Sequence, residues 1–143
     1  MISKCTDRVF QLNATTGTFF YGSWDELKCN DSLRSCFDVV IMSETLYNVQ
    51  YYESLFEMIE HCLAPGGLVI VGTKTFYYGL GGGLFELDRF LKDRYTSRPQ
   101  GLVPEVLLKI NDMKSIERAI VKLQVQQLST DNEAMQVDED ADF

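Results

Sequence analysis

The stretch Phe37-Asp38-Val39-Val40-Ile41-Met42-Ser43-Glu44-Thr45-Leu46-Tyr47-Asn48 changes character at its midpoint. Its first seven residues are a nearly continuous apolar run rich in β-branched side chains, the pattern of a parallel strand covered on both faces. From Ser43 onward it turns polar. Next, Tyr52, Leu55, Phe56, Ile59, Cys62 and Leu63 recur at helical spacing, with Glu53, Glu57 and Glu60 on the other face. Asn48 offers an N-cap, and Pro65-Gly66-Gly67 stops the helix. A second apolar run, Leu68-Val69-Ile70-Val71-Gly72-Thr73, completes a β-α-β unit. The fold class is therefore α/β, with two parallel strands joined by a crossover helix.

Working outward, Phe76-Tyr77-Tyr78-Gly79-Leu80-Gly81-Gly82-Gly83 reads as a loop. A helix follows across Leu84, Leu87, Leu91 and Tyr95. Val106-Leu107-Leu108-Lys109-Ile110, a turn at Asn111-Asp112 and the alternating Ala119, Val121, Leu123 and Val125 predict an antiparallel hairpin. On the other side, residues 1–17 are polar and irregular, with a loop signal at Asn13-Ala14-Thr15-Thr16-Gly17. Phe19-Phe20-Tyr21 predicts a short aromatic strand that runs into Gly22-Ser23-Trp24. Residues 127–143 predict a disordered acidic tail that the fold does not need.

A length of 143 residues fits one core, and 45% hydrophobic with 24% charged residues is an ordinary globular mix. Of 21 acidic residues, six lie in 131–143 with no base among them, which leaves 15 against 13 basic residues in 1–130. A body so close to neutral has no basic stripe for nucleic acid. No run reaches the ~18 apolar residues of a membrane helix, and the N-terminus lacks a signal-peptide pattern. Cys5, Cys29, Cys36 and Cys62 form no CxxC pair, and His61 is the lone histidine. A zinc cluster or disulfide framework is not expected, and a reducing intracellular setting fits best.

In open α/β sheets, ligands sit beyond the carboxyl ends of the strands. Glu44 and Tyr47 lie there, and a carboxylate one turn before a tyrosine could serve chemistry. Glu44 could equally favour a helix N-terminus while Tyr47 packs. Gly81-Gly82-Gly83 lacks the spacing of a nucleotide phosphate loop and reads as a tight turn. Trp24 alone is more often partial core than a ligand platform.

Taken in order, Gly22-Ser23-Trp24, the stretch from Phe37 to Asn48, Tyr51-Tyr52 and Tyr77-Tyr78-Gly79-Leu80-Gly81-Gly82-Gly83 resemble histidine protein methyltransferase. The resemblance covers about residues 18–126, and Ser-Glu-Thr-Leu-Tyr-Asn with the Gly-Leu-Gly-Gly-Gly loop are its most specific pieces. It implies the C-terminal part of a Rossmann-like, seven-stranded methyltransferase sheet ending in the hairpin read above. It also implies S-adenosyl-L-methionine as cofactor and a histidine of a ribosomal protein as acceptor, in cytoplasm and nucleus. Glu44 and Tyr47, matching an acid-x-x-Tyr motif, would be catalytic. Gly22, Ser23, Trp24, Ser43, Glu44 and Thr45 would face the cofactor, Trp24 lying against the adenine. No metal is implied.

Two departures accompany the match. The family's glycine-rich turn after its first strand and the acid after its second have no counterpart, so the chain reads as the carboxyl-terminal half of an enzyme. Ser23 stands where the family usually has an acid. A lysine-directed relative shares the acid-x-x-Tyr motif, and an interaction module without the cofactor half is the non-catalytic alternative. The missing elements also lead us to expect an unpaired apolar edge along Val39, Val40 and Ile41.

Overall fold

The computed structural model describes residues 17–127. The acidic tail from residue 128, and all but the end of the irregular N-terminal segment, lie outside the described residues. A four-residue helix α1 (Trp24–Leu27) leads through a 3₁₀ turn at Asp31–Leu33 to strand β1 (Phe37–Ser43). A second 3₁₀ turn at Val49–Tyr51 runs into helix α2 (Tyr52–Cys62), followed by strand β2 (Leu63–Lys74). Helix α3 (Leu84–Tyr95) and the strands β3 (Gln100–Ile110) and β4 (Arg118–Gln127) complete the order.

The strands form one mixed sheet in the order β1-β2-β4-β3. β1 and β2 are parallel, with Val40 opposite Val69 and Met42 opposite Val71. β2 pairs antiparallel with β4, and β4 with β3. The sequence-predicted α/β architecture, with its terminal antiparallel hairpin, is the architecture observed. Among the described residues no helix is long and apolar enough to cross a membrane.

One sheet face carries the core. Val69, Val71, Val121 and Leu123 from the central strands are buried against Leu55, Phe56 and Ile59 of α2 and Leu87 and Leu91 of α3. Each such side chain withdrawn from water contributes ~1.5–3 kcal/mol before the entropy of ordering is set against it. The two helices meet through aromatic rings: Phe90 lies edge-on to Tyr52 at 5.5 Å and tilted to Phe56 at 5.2 Å. Arg94 of α3, its side chain only 6% exposed, pairs with Glu60 at 2.8 Å and with Glu53, both on α2.

Four local expectations are corrected. Phe19-Phe20-Tyr21 forms no strand and joins neither edge of the sheet among the described residues, because β-propensity depends on sheet context more than on the residues themselves. Asn48 caps the 3₁₀ turn instead of α2, its Oδ1 accepting from the Gln50 amide at 3.0 Å. β3 starts at Gln100, not Val106; as the edge strand it tolerates Pro104, which has no N–H to give. β1 is not covered on both faces. Val40 and Met42 pack toward the core, whereas Val39 and Ile41 are exposed, Ile41 by 76%. Among the described residues no strand pairs with the outer edge of β1.

Candidate functional site

The carboxyl ends of β1 and β2 lie side by side because the strands are parallel, so Ser43 is opposite Gly72. Past that point the chain of β1 bends sharply. Glu44 adopts φ +55°, a left-handed conformation that few non-glycine residues take, while its amide still donates to the Gly72 carbonyl at 3.0 Å. The bend releases Glu44 from the ladder and aims its side chain across the end of β2. There Tyr77 Oη donates to Glu44 Oε2 at 3.0 Å, and Lys74 Nζ lies 3.8 Å from the same oxygen. The Lys74 amide donates to Tyr77 Oη at 3.3 Å, and its ammonium sits 5.1 Å from the Tyr77 ring centroid. Burial, reinforced by the Glu44 carboxylate, pushes the Tyr77 phenol above its ordinary value, so it stays a donor at neutral pH. Glu44 itself is 51% exposed and reachable from solvent.

The glycine loop is fastened onto this corner. Gly81 bridges to Asn48, and the Tyr77 amide donates to the Gly82 carbonyl at 2.9 Å. A Cβ on Gly82 would come 2.0 Å from the Leu46 carbonyl oxygen, so only glycine allows the two loops to touch. Beneath them the buried Tyr52 hydroxyl joins both: it donates to the Leu46 carbonyl at 2.8 Å and accepts from the Gly83 amide at 3.0 Å. Tyr47 emerges from the same corner with its ring exposed.

Trp24 and Thr45 belong to a second feature. They line a groove of about 240 Å³ between β1 and α2, with Val40, Met42, Leu55 and Met58. Thr45 Oγ1 is buried with no hydrogen-bond partner among the described residues. Trp24 is held over it by α1. Ser23 caps that helix reciprocally with Glu26, its Oγ accepting from the Glu26 amide at 3.2 Å while its own amide donates to Glu26 Oε2 at 2.7 Å. Through this cap Ser23 fixes the placement of Trp24. Gly22 enters the cap at φ +149°.

The predicted site residues thus divide in two. Trp24 and Thr45 share the groove, behind Gly22 and Ser23. Glu44 stands on the strand-end corner with Tyr47 nearby in the same loop, and Ser43 lies exposed beside Gly72. Sequence reasoning gave no role to Lys74, Tyr77 or Tyr52. The available signal was positional: Lys74 ends the second parallel strand and Tyr77 lies three residues on, and that strand end must neighbour Glu44.

An α/β sheet with a polar corner at its parallel strand ends and an aromatic-walled groove beside it is the arrangement in which open-sheet domains hold ligands. The comparisons give that class a name. This chain is matched over residues 1–71 by a family described as "Methyltransferase domain", whose members in general use S-adenosyl-L-methionine. More particularly, it is similar to proteins named "Histidine protein methyltransferase 1 homolog". The rat protein (Rattus norvegicus) is 33% identical over 78 residues, 52% of this chain and 22% of the relative. The Bos taurus protein is 32% identical over 95 residues (62% and 26%), and that of Dictyostelium discoideum 34% over 77 residues (52% and 24%). The chain spans about a quarter of the length of these curated relatives.

Proposed function

We propose that this chain carries the acceptor-side half of an S-adenosyl-L-methionine-dependent protein methyltransferase that modifies histidine. The observation that carries the reading is Glu44: a solvent-reachable carboxylate thrown off the strand end, one oxygen engaged by Tyr77 and Lys74. The names of the relatives point the same way. A ribosomal protein as acceptor, and work in cytoplasm and nucleus, rest on the family resemblance alone.

The groove fits one end of the cofactor. Trp24 offers a flat apolar wall for an adenine, with Val40, Met42 and Leu55 lining the rest of the groove. The groove lining holds no carboxylate that could take up a ribose diol. When bound, the cofactor supplies a methyl group on a positively charged sulfur, open to attack by a neutral nitrogen.

The work left to the chain is orientation and charge. An imidazole must be neutral at the attacking nitrogen, and its other N–H must be held so that the tautomer is correct. Glu44 accepts that N–H and stabilises the positive charge that grows on the ring during transfer. The proton on that nitrogen is then free to leave toward the carboxylate. Tyr47, exposed in the adjoining loop, can border the ring. The Lys74 ammonium beside Glu44 opposes a lysine that approaches as a second ammonium, and a neutral imidazole meets no such repulsion. That favours histidine over lysine.

The test is methyl transfer from radiolabelled S-adenosyl-L-methionine to histidine-containing and lysine-containing peptides. It uses the full-length protein that carries this chain, with Glu44→Gln as control. Label on histidine that disappears in the variant is expected. Label on lysine, or equal labelling by the variant, refutes the reading.

A further inference from the structure

We propose that Tyr77 is the positioning residue for Glu44: it holds one carboxylate oxygen and leaves the other as the free acceptor for an imidazole N–H. The proposal rests on the histidine-directed reading above. Both the Tyr77 hydroxyl and the Lys74 ammonium address Oε2, at 3.0 and 3.8 Å. Oε1 has no hydrogen bond among the described residues.

Left alone, the carboxylate at the end of a glutamate turns broadly about its last torsion, and its two oxygens exchange places. Three contacts remove that freedom. The backbone of Glu44 is fixed at φ +55° with its amide on Gly72. The Tyr77 hydroxyl already accepts from the Lys74 amide, so its own proton is committed outward, to Glu44. Lys74 adds charge on the same side. The hydroxyl is not what fastens the loop, because the Tyr77 amide does that through the Gly82 carbonyl at 2.9 Å. Removing one oxygen atom therefore frees the carboxylate and leaves the corner standing.

The experiment uses the full-length protein that carries this chain, with carbon-13-labelled glutamate carboxyls, the Glu44 resonance being assigned by its loss in Glu44→Gln. Imidazole is the probe and N-methylimidazole, which has no N–H, the control. The pH is held about two units above an ordinary imidazole pKa so that both are neutral. In the parent chain, imidazole shifts the Glu44 resonance and N-methylimidazole does not. In Tyr77→Phe the free resonance is already displaced, and the imidazole concentration for half-response rises about tenfold, equivalent to one lost hydrogen bond. Tyr78→Phe, an exposed neighbour, changes neither.

A Glu44 resonance and imidazole response unchanged by Tyr77→Phe would overturn the positioning role while sparing the histidine reading. Equal responses to the two probes in the parent would overturn the histidine reading, and the role of Tyr77 with it. Failure of Tyr77→Phe to fold would make the hydroxyl a structural support and also refute the proposal.

Discussion

Glu44 occupies a backbone conformation that costs a non-glycine residue ~1–2 kcal/mol, and its carboxylate returns little of that across a half-exposed pair with Lys74. The position is thus chosen for where it sends the side chain, not for stability. Glu44→Gln keeps the length and the strain, so the melting temperature should hold. Methyl transfer by the full-length protein should fall at least a hundredfold, read in single-turnover assays. An unchanged rate would remove the carboxylate from the mechanism. Glu44→Gly should instead raise stability by ~1 kcal/mol, measured by denaturant unfolding, while losing activity. Tyr52 lies at the opposite extreme. Fully buried, with burial pushing its phenol above the ordinary value, its hydroxyl serves the Leu46 carbonyl and the Gly83 amide together. Tyr52→Phe strands both and should cost ~2–4 kcal/mol. A loss below 1 kcal/mol in urea unfolding would show that water replaces the hydroxyl at no penalty.

At the scale of elements, α2 and α3 are joined by an ion cluster as well as by rings. Burial works against the Glu60 carboxylate, but hydrogen bonds from Arg94 and Tyr95 outweigh it and hold its pKa below the ordinary 4.5. A depressed carboxyl contributes stability above its unfolded pKa and loses it as pH falls through the folded value. Stability should therefore drop as pH goes below about 4.5, and Glu60→Gln should flatten that acid limb while lowering the plateau. Thermal melts from pH 7 downward check this; parallel curves would refute it. The β-α-β unit was legible in the sequence because its two apolar runs and the α2 stripe are strongly periodic. The aromatic run at Phe19-Phe20-Tyr21 misled because β-propensity depends on a sheet context that three residues do not carry. The early start of β3 was hidden because Gln100-Gly101-Leu102-Val103-Pro104 does not alternate. Glu44 was visible as a polar residue at a strand end. Tyr77 and Lys74 were not, since their importance comes from the lateral adjacency of two strand ends, which no local pattern displays.

At the scale of the whole molecule, among the described residues one sheet face is packed and β1 forms an unpaired edge, with Val39 and Ile41 exposed beside it. Such an edge pairs readily with other chains. Asp38 is the one charge on it. The isolated 143-residue chain should therefore associate during size-exclusion chromatography and bind S-adenosyl-L-methionine weakly in calorimetric titration. A sharp monomer peak with micromolar binding would contradict this. The fastening of the glycine loop has a different outcome, visible to solvent deuterium. In most folds the strands hold their amide protons and the loops give them up. Here the outward amides of β1 should be replaced early, whereas the Gly83 amide, locked onto a hydroxyl that water does not reach, should be among the last. Isotope uptake would then single out one glycine in a loop as a fixed point of the molecule, and a strand as its soft margin.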